Sequence, residues 1–492
     1  MGTAIARSSP AAVARAGDFY LHWQRDRGAK EGWAQRPEEA DLRASAKRLL
    51  CSTATIVVVA FVVRIAIFYQ DAHGSYARVA VDRLPYGYET GAVAASIAEG
   101  RGFSSPLRLV ETGATAWFAP IYPYLLAGIF KLFGVYSYAS NLIIQTINVA
   151  FAAFTCWPIA SIGTRAFGKK TGTAAAWAWV FLPTAIFFPV VWVWDTALAG
   201  LWLALLTAAT LKLRGSDRMG WWTGYGALWA AGALINPSLV SVLPFLSLWA
   251  MWPLRKQLGQ AAKLALAAAV IFAAGIAPWT IRNYVVFHQF IPLRSNFGLE
   301  LWLGNNPNVP DSWSWWLHPN DDLDEALKYA RMTEIPYMEE KEHEAWTFIR
   351  SHPADTARFV LHRFTNHWLG IWDSPADLWP TAPWPLKLLI VGNCLFALLS
   401  LLGALFAFRV RSPAAYPLGT VMLVFPLAFY LTHTSLRYRY PMDPIMQVLA
   451  VFAVVYAVSP VARRSAAGEE AAPELKSASR PEVAESYLSV LR

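Results

Sequence analysis

The sequence has little charge and almost no cysteine. Charged residues make up 15% of its 492 residues, and only three cysteines are present. Soluble domains carry about 25% charged residues, so the composition argues against an ordinary soluble fold. Cys51, Cys156 and Cys394 fall within or at the edge of apolar segments, where free cysteine is commonly buried. They have no zinc spacing, so neither a disulfide framework nor a metal site is expected.

Several catalytic and binding motifs are also missing. The chain has no glycine-rich phosphate loop and no nucleophile elbow around a serine. His343-Glu344 lacks the second histidine of a zinc helix, and the other histidines show no ligand spacing. No basic and aromatic strip forms a nucleic-acid platform. We therefore expect no cofactor and no nucleic-acid partner, while a divalent metal ion stays open.

Long apolar segments are what the sequence does contain. Hydrophobic residues make up 56% of the chain, mean hydropathy is +0.33, and there are 24 tryptophans. This composition predicts an all-helical, polytopic membrane protein. The first apolar segment begins near Leu49, too late and too long for a cleavable signal peptide. Arg64 lies near the outer end of this segment, where we expect its side chain to reach the headgroups.

Basic clusters between the apolar segments predict ten spans in the cell membrane, with both termini cytoplasmic and the net charge of +9 concentrated on the inner loops. The predicted spans are Leu50–Tyr69, Ser140–Ile162, Thr173–Val190, Thr196–Leu211, Trp222–Ile235, Leu239–Trp252, Lys263–Ile281, Pro385–Phe408, Pro417–Thr432 and Met442–Val458.

The segment Pro120–Gly134 is apolar but short of the roughly twenty residues that a span needs. If it lies in the interface, the cluster Arg165, Lys169 and Lys170 faces the cytoplasm. If it spans, that cluster faces outward, against the positive-inside rule. The interfacial position is favoured, and the spanning alternative stays open.

These spans divide the chain into five parts. Residues 1–48 form a cytoplasmic tail, and 49–283 form a membrane domain with a first outer loop at 70–138. Residues 284–384 form an outer subdomain, 385–461 hold the last membrane helices, and 462–492 form a second cytoplasmic tail. Within the outer subdomain, Asp324–Arg350 is expected as helices broken at Pro336, and Arg358–Trp372 as an amphipathic surface helix.

Two acids fall on the predicted outer face. Glu89, in Tyr86-Gly-Tyr-Glu89-Thr-Gly, is predicted at a helix start just outside a span, where an acid is costly near lipid. Asp195 follows Trp194 at the outer turn between two spans. Each also has a structural interpretation, Glu89 as a solvated loop residue and Asp195 as a helix N-cap.

Four arginines share this face: Arg282, Arg294, Arg437 and Arg439. They suit phosphate oxygens, although they could instead reach lipid headgroups. Acids and arginines on one face suit group transfer, because a carboxylate takes a proton from an acceptor hydroxyl and the arginines neutralise the departing phosphate. An outer site has no access to cytoplasmic nucleotide sugars, which favours a polyprenyl-phosphate-linked sugar as the donor.

In their order along the chain, several motifs resemble the GT-C superfold of glycosyltransferases. The likeness is strongest to bacterial relatives of the dolichyl-phosphate-mannose protein mannosyltransferases and the lipid A aminoarabinose transferases. The motifs, spread over residues 50–460, are Tyr86-Gly-Tyr-Glu-Thr-Gly, Gly100-Arg-Gly-Phe103, Trp117-Phe-Ala-Pro-Ile-Tyr-Pro-Tyr124, Phe130-Lys-Leu-Phe-Gly134, Trp194-Asp195, Asn236-Pro237, Pro278-Trp-Thr-Ile-Arg-Asn283, Leu303-Gly-Asn-Asn-Pro307 and Arg437-Tyr-Arg-Tyr-Pro441.

The resemblance implies a GT-C-like bundle and an inverting transferase that uses a polyprenyl-phosphate sugar. It implies Glu89 as the catalytic base, Asp195 as a second acid, and an outer loop with interfacial helices. Arg437, Arg439 and, less directly, Arg282 are then the donor-phosphate residues, and Tyr88 and Tyr122 are expected to bind substrate.

The chain departs from the family pattern at two positions. It has Glu89 where relatives more often have aspartate, and Ala119 where they often have histidine or lysine. The second departure shifts phosphate binding to the arginines. Membrane lipids are expected partners, while the acceptor is an unidentified protein, lipid or glycan.

Two other functional classes remain open. A transporter or flippase of lipid-linked sugars is disfavoured because charges lie mainly outside the apolar spans. A non-catalytic scaffold for envelope assembly would use the long outer loop as a docking surface.

Overall fold

A computed structural model describes residues 49–70, 72–82, 86, 88–369, 379–380 and 382–458. Within these ranges the chain forms helices and no β-strand, apart from an isolated bridge between Ser104 and Ala114. The described residues from Ile56 onward belong to one compact unit. The predicted all-helical membrane class is confirmed, while the two predicted cytoplasmic tails lie outside the described residues.

The α-helices of the described ranges are numbered along the chain. They are α1 Thr53–Gln70, α2 Ala72–Asp82, α3 Glu89–Ala98, α4 Ile121–Phe133, α5 Tyr138–Phe154, α6 Cys156–Phe167, α7 Lys169–Phe181, α8 Pro183–Val191, α9 Thr196–Leu213, α10 Met219–Ile235, α11 Leu243–Met251, α12 Leu258–Phe287, α13 Phe297–Gly304, α14 Leu323–Met332, α15 Glu334–Ser351, α16 Pro353–Leu369, α17 Trp384–Arg409, α18 Ala415–Val424, α19 Leu427–Leu431, α20 Leu436–Arg439 and α21 Asp443–Val458. Short 3₁₀ turns lie at Pro237–Val242, Trp252–Leu254, Trp315–Leu317 and Tyr440–Met442.

Seven stretches of the described chain are long and apolar enough to cross a membrane, and the bent pair α7–α8 makes eight. They are Thr53–Gln70, Tyr138–Phe167, Thr196–Leu213, Pro237–Leu254, Leu258–Phe287, Trp384–Arg409 and Arg437–Val458. The predicted spans Trp222–Ile235 and Pro417–Thr432 fall in the shorter helices α10 and α18–α19. Ten crossings therefore remain a prediction, as does the interfacial position of α4, whose 13 residues cover only about 20 Å.

Arg64 corrects one expectation, because its side chain is buried inside the bundle and does not reach the headgroups. Its guanidinium donates to the carbonyl oxygens of Trp179 at 2.8 Å and Ala185 at 2.9 Å. In a continuous helix these carbonyls would accept from residues 183 and 189, which are both prolines and have no N–H. Arg64 thus satisfies the two acceptors that Pro183 and Pro189 leave free at the 49° bend between α7 and α8.

Three helices connect a basic end of the bundle to the opposite end. Helix α9 runs from Asp195 to Lys212, and α10 returns from Arg218 to Asn236. Helix α12 begins next to the basic pair at 255–256 and runs toward the first outer loop. The basic turn after α9 lies next to the basic turn before α12. The backbone N–H of Gly215, in the first turn, donates to the carbonyl of Ala250, near the end of α11, at 2.9 Å. Asp195 and Asn236 are therefore about 27 Å from the basic turns along 18-residue α9.

Helices α13–α16 form the long connection before α17. The predicted break at Pro336 is wrong, because Pro336 lies in the first turn of α15, where its missing N–H leaves no helix bond unmade. The break is at Thr333, whose φ of +65° turns the chain between α14 and α15. The predicted amphipathic helix Arg358–Trp372 corresponds, over its described part, to α16.

Glu334 fastens this region to the segment that contains Thr115 and Ala116. Its carboxylate accepts from the backbone N–H of Ala116 at 2.7 Å and the hydroxyl of Ser295 at 2.5 Å. It also accepts from Tyr329 at 2.7 Å and from the hydroxyl of Thr115. Four donors surround a side chain that is 3% exposed, so the carboxylate is a structural anchor.

Candidate active site

A cavity of about 270 Å³ lies at the end of the bundle away from the basic turns. It forms where the starts of α3 and α9 and the end of α10 meet the α13–α14 connection and the segment between α19 and α21. Acids, arginines and histidines share its wall with tryptophan rings. The charged and titratable lining residues are Glu89, Asp195, Arg294, Glu300, Asp321, Arg437, His318, His433, Tyr88 and Tyr438.

Glu89 is the first residue of α3, as the sequence predicted. The preceding Tyr88 has φ +47°, a conformation that costs a non-glycine residue about 1–3 kcal/mol. Gly91 lets the helix start pack closely, because a Cβ there would lie 2.6 Å from the hydroxyl of Tyr136. Gly100, with φ +87°, follows the helix end. This geometry fixes the direction in which Glu89 enters the cavity.

The Glu89 carboxylate meets a segment more than two hundred residues away. Oε1 accepts a hydrogen bond from Asn320 Nδ2 at 2.9 Å and lies 3.4 Å from His318 Nε2. Its side chain is 18% exposed, so the interpretation as a solvated loop residue is wrong. Burial raises the pKa of Glu89 to about 7, against the stabilising effects of Asn320 and Arg437 on the anion.

His318 is a neutral neighbour of Glu89. Burial lowers the pKa of His318 to about 4, and the nearby Arg437 acts in the same direction. The contact between His318 and Glu89 is therefore between a neutral imidazole and a carboxyl group at neutral pH, not an ion pair. Glu89 thus keeps a pKa suited to a proton acceptor near pH 7.

Asp195 occupies the N-cap position of α9, but its side chain accepts no capping hydrogen bond. Its Oδ2 instead accepts from Asn236 Nδ2 at 2.9 Å. The Asn236 Oδ1 in turn accepts from the backbone N–H and the hydroxyl of Ser238, at 3.1 and 2.7 Å. Burial raises the pKa of Asp195, while the positive charge of Arg294 opposes this rise. The structural interpretation of the Asp195 side chain as a helix cap is therefore wrong, and the residue faces the cavity.

Two arginines line the cavity. Arg437 stacks over Trp194 at 4.4 Å and donates to the Tyr438 hydroxyl at 2.7 Å, and its buried Nε has no hydrogen-bond partner among the described residues. Arg294 donates to the carbonyl of Trp117 at 2.8 Å. Within the described ranges, neither guanidinium lies within 4 Å of a carboxylate. Both therefore retain charge that an anionic ligand could neutralise.

Three predicted site residues lie outside the cavity lining. Arg439 is 0% exposed and pairs with Asp443 at 3.0 Å, which explains why it points away. Arg282 donates to the backbone carbonyls of Thr115 and Phe103 at 2.6 and 3.0 Å. Tyr122 is 1% exposed and donates to Asn148 Oδ1 at 3.0 Å. Each is committed to contacts within the fold, so we correct their assignment as phosphate- or substrate-binding residues.

Aromatic rings form much of the remaining wall. Trp192 and Trp194 stack with centroids 4.5 Å apart, and Trp313 stacks on His433 at the same distance. Trp315 also lines the cavity and is 53% exposed. Flat apolar surfaces beside a few polar groups are typical of small-molecule sites.

No group of three or more histidine, cysteine or acidic side chains in the described part of the chain is arranged to hold a metal ion. The carboxylates of Glu89 and Asp195 each take their hydrogen bond from an asparagine amide. Metal and cofactor requirements therefore stay at the level of prediction.

Sequence reasoning missed several residues of this site. His318 has no ligand spacing in the sequence, and Asn320 belongs to none of the motifs. Arg294 is one of four arginines on the predicted outer face. Their closeness to Glu89 or Asp195 depends on how the outer connection docks, and no local spacing encodes that. The one available signal is the cluster of asparagines and tryptophans around His318 between α13 and α14.

No protein-family model matches the chain, and no curated protein matches it. Solved structures of an oligosaccharyltransferase from Archaeoglobus fulgidus are similar to it. One, in complex with an inhibitory peptide and a dolichol-phosphate, has 12% identity and a TM-score of 0.48, covering 82% of this chain and 50% of that chain. Another, tethered to an acceptor peptide, has 14% identity and a TM-score of 0.48, with the same coverage. The chain spans about half the length of these proteins, and a likeness of this size does not assign an activity.

Proposed function

We propose that this multi-pass membrane protein is a glycosyltransferase. It moves a sugar from a polyprenyl-phosphate donor to an acceptor hydroxyl on the non-cytoplasmic face, with inversion. The observation that carries the proposal is the cavity in which Glu89, Asp195, Arg294 and Arg437 converge. These residues come from four separate parts of the chain, and they share one cavity.

In the proposed reaction, Glu89 accepts the proton of the acceptor hydroxyl as its oxygen attacks the anomeric carbon. The bond between that carbon and the phosphate oxygen breaks, and polyprenyl phosphate leaves with the electron pair. Attack opposite the leaving group inverts the anomeric centre. The pKa of about 7 suits Glu89 to this role, because a general base works best when its pKa lies near the operating pH.

The arginines suit the departing phosphate. Arg437 is held by Trp194 and Tyr438 in a fixed orientation and has no carboxylate partner within 4 Å in the described chain. Arg294 presents a second positive charge, close enough to influence Asp195. Fixed cations that meet growing negative charge are a large source of transition-state stabilisation. Asp195 then orients the acceptor or the sugar within the same cavity.

The position of the cavity supports a non-cytoplasmic site. The basic turns after α9 and before α12 lie at the other end of the bundle. Under the positive-inside rule those turns face the cytoplasm. A lipid-linked donor is then the activated sugar that can reach the cavity from the membrane.

The test is transfer by the purified chain in lipid nanodiscs. A radiolabelled polyprenyl-phosphate sugar is supplied together with extracted membrane acceptors, and the label is followed into acceptor while polyprenyl phosphate is released. We expect both products from wild type. Donor that stays intact with every acceptor fraction would contradict a transferase.

A flippase for lipid-linked sugars is the second candidate, favoured by the bend between α7 and α8, because transporters use broken helices. In this chain Arg64 already occupies the carbonyls freed at the bend, which argues against an ion or substrate site there. Reconstituted vesicles without acceptor separate the two functions. A flippase moves intact donor across the bilayer, whereas a transferase leaves its distribution unchanged.

A further inference from the structure

The base of the proposed reaction is held by a turn from a distant part of the chain. Residues 318–322 form a tight turn in which the backbone N–H groups of Asp321 and Asp322 donate to the carbonyl of His318, at 2.7 and 2.9 Å. The turn presents His318 and Asn320 to Glu89. We infer that Asn320 and His318 are positioning residues that hold Glu89 as an oriented anion, an inference that rests on the proposed function of Glu89.

The amide of Asn320 can face in only one direction. Its Oδ1 accepts from the backbone N–H of Arg108 at 2.7 Å, so its Nδ2 is the atom that faces Glu89, at 2.9 Å. The Arg108 side chain fastens the same turn, donating from Nε to the carbonyl of Asn320 at 2.6 Å and pairing with Asp321 at 3.1 Å. The first outer loop therefore supplies both the base and the group that orients its donor.

The tautomer of His318 follows from the same turn. Its Nδ1 accepts from the backbone N–H of Asn320 at 3.1 Å, so a neutral ring carries its proton on Nε2. That nitrogen lies 3.4 Å from Glu89 Oε1. The ring is also packed against Trp117, with centroids 5.7 Å apart. Asn320 thus donates a hydrogen bond to Glu89 Oε1, and the Nε2 of His318 lies next to the same oxygen.

The charged groups that act on Glu89 set the direction of the effect. Arg437 stabilises the anion from the α19–α21 side, and Glu300 opposes it from α13. His318 is neutral and adds no charge near pH 7. Burial raises the pKa of Glu89, and the hydrogen bond from Asn320 lowers it. Removal of the Asn320 donor should therefore raise the pKa of Glu89. A second carboxyl group of the cavity, Asp195, has its own donor in Asn236 and should not respond.

The decisive experiment reads the protonation of Glu89 directly. Dicyclohexylcarbodiimide reacts with protonated buried carboxyl groups, and mass spectrometry quantifies the modified peptide that contains Glu89. The full-length chain in nanodiscs is labelled across pH 5 to 9, without donor or acceptor. Wild type should lose labelling with a midpoint near 7. Asn320→Ala should move the midpoint upward by about one pH unit, and His318→Gln, which keeps a donor, by less.

The chain offers two matched controls. Asn308→Ala makes the same substitution at an exposed position in the same connection, and should leave the midpoint unchanged. Arg108→Ala removes the side-chain clamp on the turn but keeps the backbone N–H that orients Asn320, so its midpoint should rise by less than that of Asn320→Ala. An Asn320→Ala chain that folds and labels like wild type would overturn the inference.

Transfer measurements separate this inference from the proposed function. Asn320→Ala should lose transfer mainly at low pH and recover toward the wild-type rate at high pH, since only the protonation of the base changes. Equal loss at every pH would indicate a merely structural residue and contradict positioning. If Asn320→Ala shifts the labelling midpoint but the wild-type protein transfers no sugar, the positioning inference is supported and the transferase proposal is contradicted.

Discussion

Glu334 is buried and Glu89 is partly buried, both outside the membrane spans, and desolvation raises the pKa of each. Glu334 accepts from four donors and lines no part of the cavity. Glu89 has one amide donor and a neutral histidine, and it faces the cavity. A raised pKa therefore does not identify a catalytic carboxylate by itself. The number of donors that already surround it, and the space in front of it, distinguish an anchor from a reactive group.

The largest expected effect on stability comes from the anchor. Glu334→Ala leaves the N–H of Ala116 and the hydroxyls of Ser295 and Tyr329 without their acceptor in a closed environment. We expect a loss on the order of 3 kcal/mol, seen as a lower melting midpoint by tryptophan fluorescence. The Glu89 side chain faces the cavity, so Glu89→Ala should have a melting midpoint close to that of wild type. Equal melting of the two variants would remove the distinction.

Arg437 and Arg439, two residues apart, give a second comparison between a side chain that faces the cavity and one that is committed to structural contacts. Arg437 faces the cavity, whereas Arg439 forms a buried ion pair with Asp443. Arg437→Ala should weaken donor binding by roughly 10- to 100-fold, the value of a charge-assisted hydrogen bond, measured as the KM for the lipid-linked sugar. Arg439→Ala should instead lower the melting midpoint. Unchanged KM in Arg437→Ala would assign the phosphate to other residues.

The pH dependence of transfer sharpens the role of Glu89. A general base acts when deprotonated, and the raised pKa of about 7 places its titration near neutrality. Transfer should fall about tenfold for each pH unit well below that value and level off above it. An initial-rate profile between pH 5 and 9 tests this. A profile flat down to pH 5 would mean that the base has an ordinary carboxyl pKa, or is another group.

The smallest expected effect concerns Asp195. Asn236→Ala removes the donor to its carboxylate and should reduce transfer by only a few fold, about 3-fold for a loss near 0.7 kcal/mol. Asn236 also ends α10, so the melting midpoint is recorded in parallel. A hundredfold loss of transfer with an unchanged melting midpoint would contradict this small effect and would give Asp195 a larger part in the reaction.

Periodicity and composition predicted the helices well, because each apolar segment carries its own signal. The start of α3 at Glu89 and the helix end before Gly100 follow from local residues. The cavity was predicted only in part. Glu89, Asp195 and Arg437 stood out as charges at span ends, while Asn320 and His318 reach Glu89 through long-range docking. Arg439 and Arg282 share the same sequence pattern as Arg437, and only packing shows where their side chains are used.

The measurement that tests the central claim most directly is transfer by Glu89→Gln beside Glu334→Gln, each normalised to the folded fraction. Glutamine keeps the shape of the side chain but cannot accept the proton. The account predicts that Glu89→Gln melts like wild type and loses transfer by roughly 100- to 10,000-fold, while the folded fraction of Glu334→Gln transfers at close to the wild-type rate. Full transfer by folded Glu89→Gln would contradict the account.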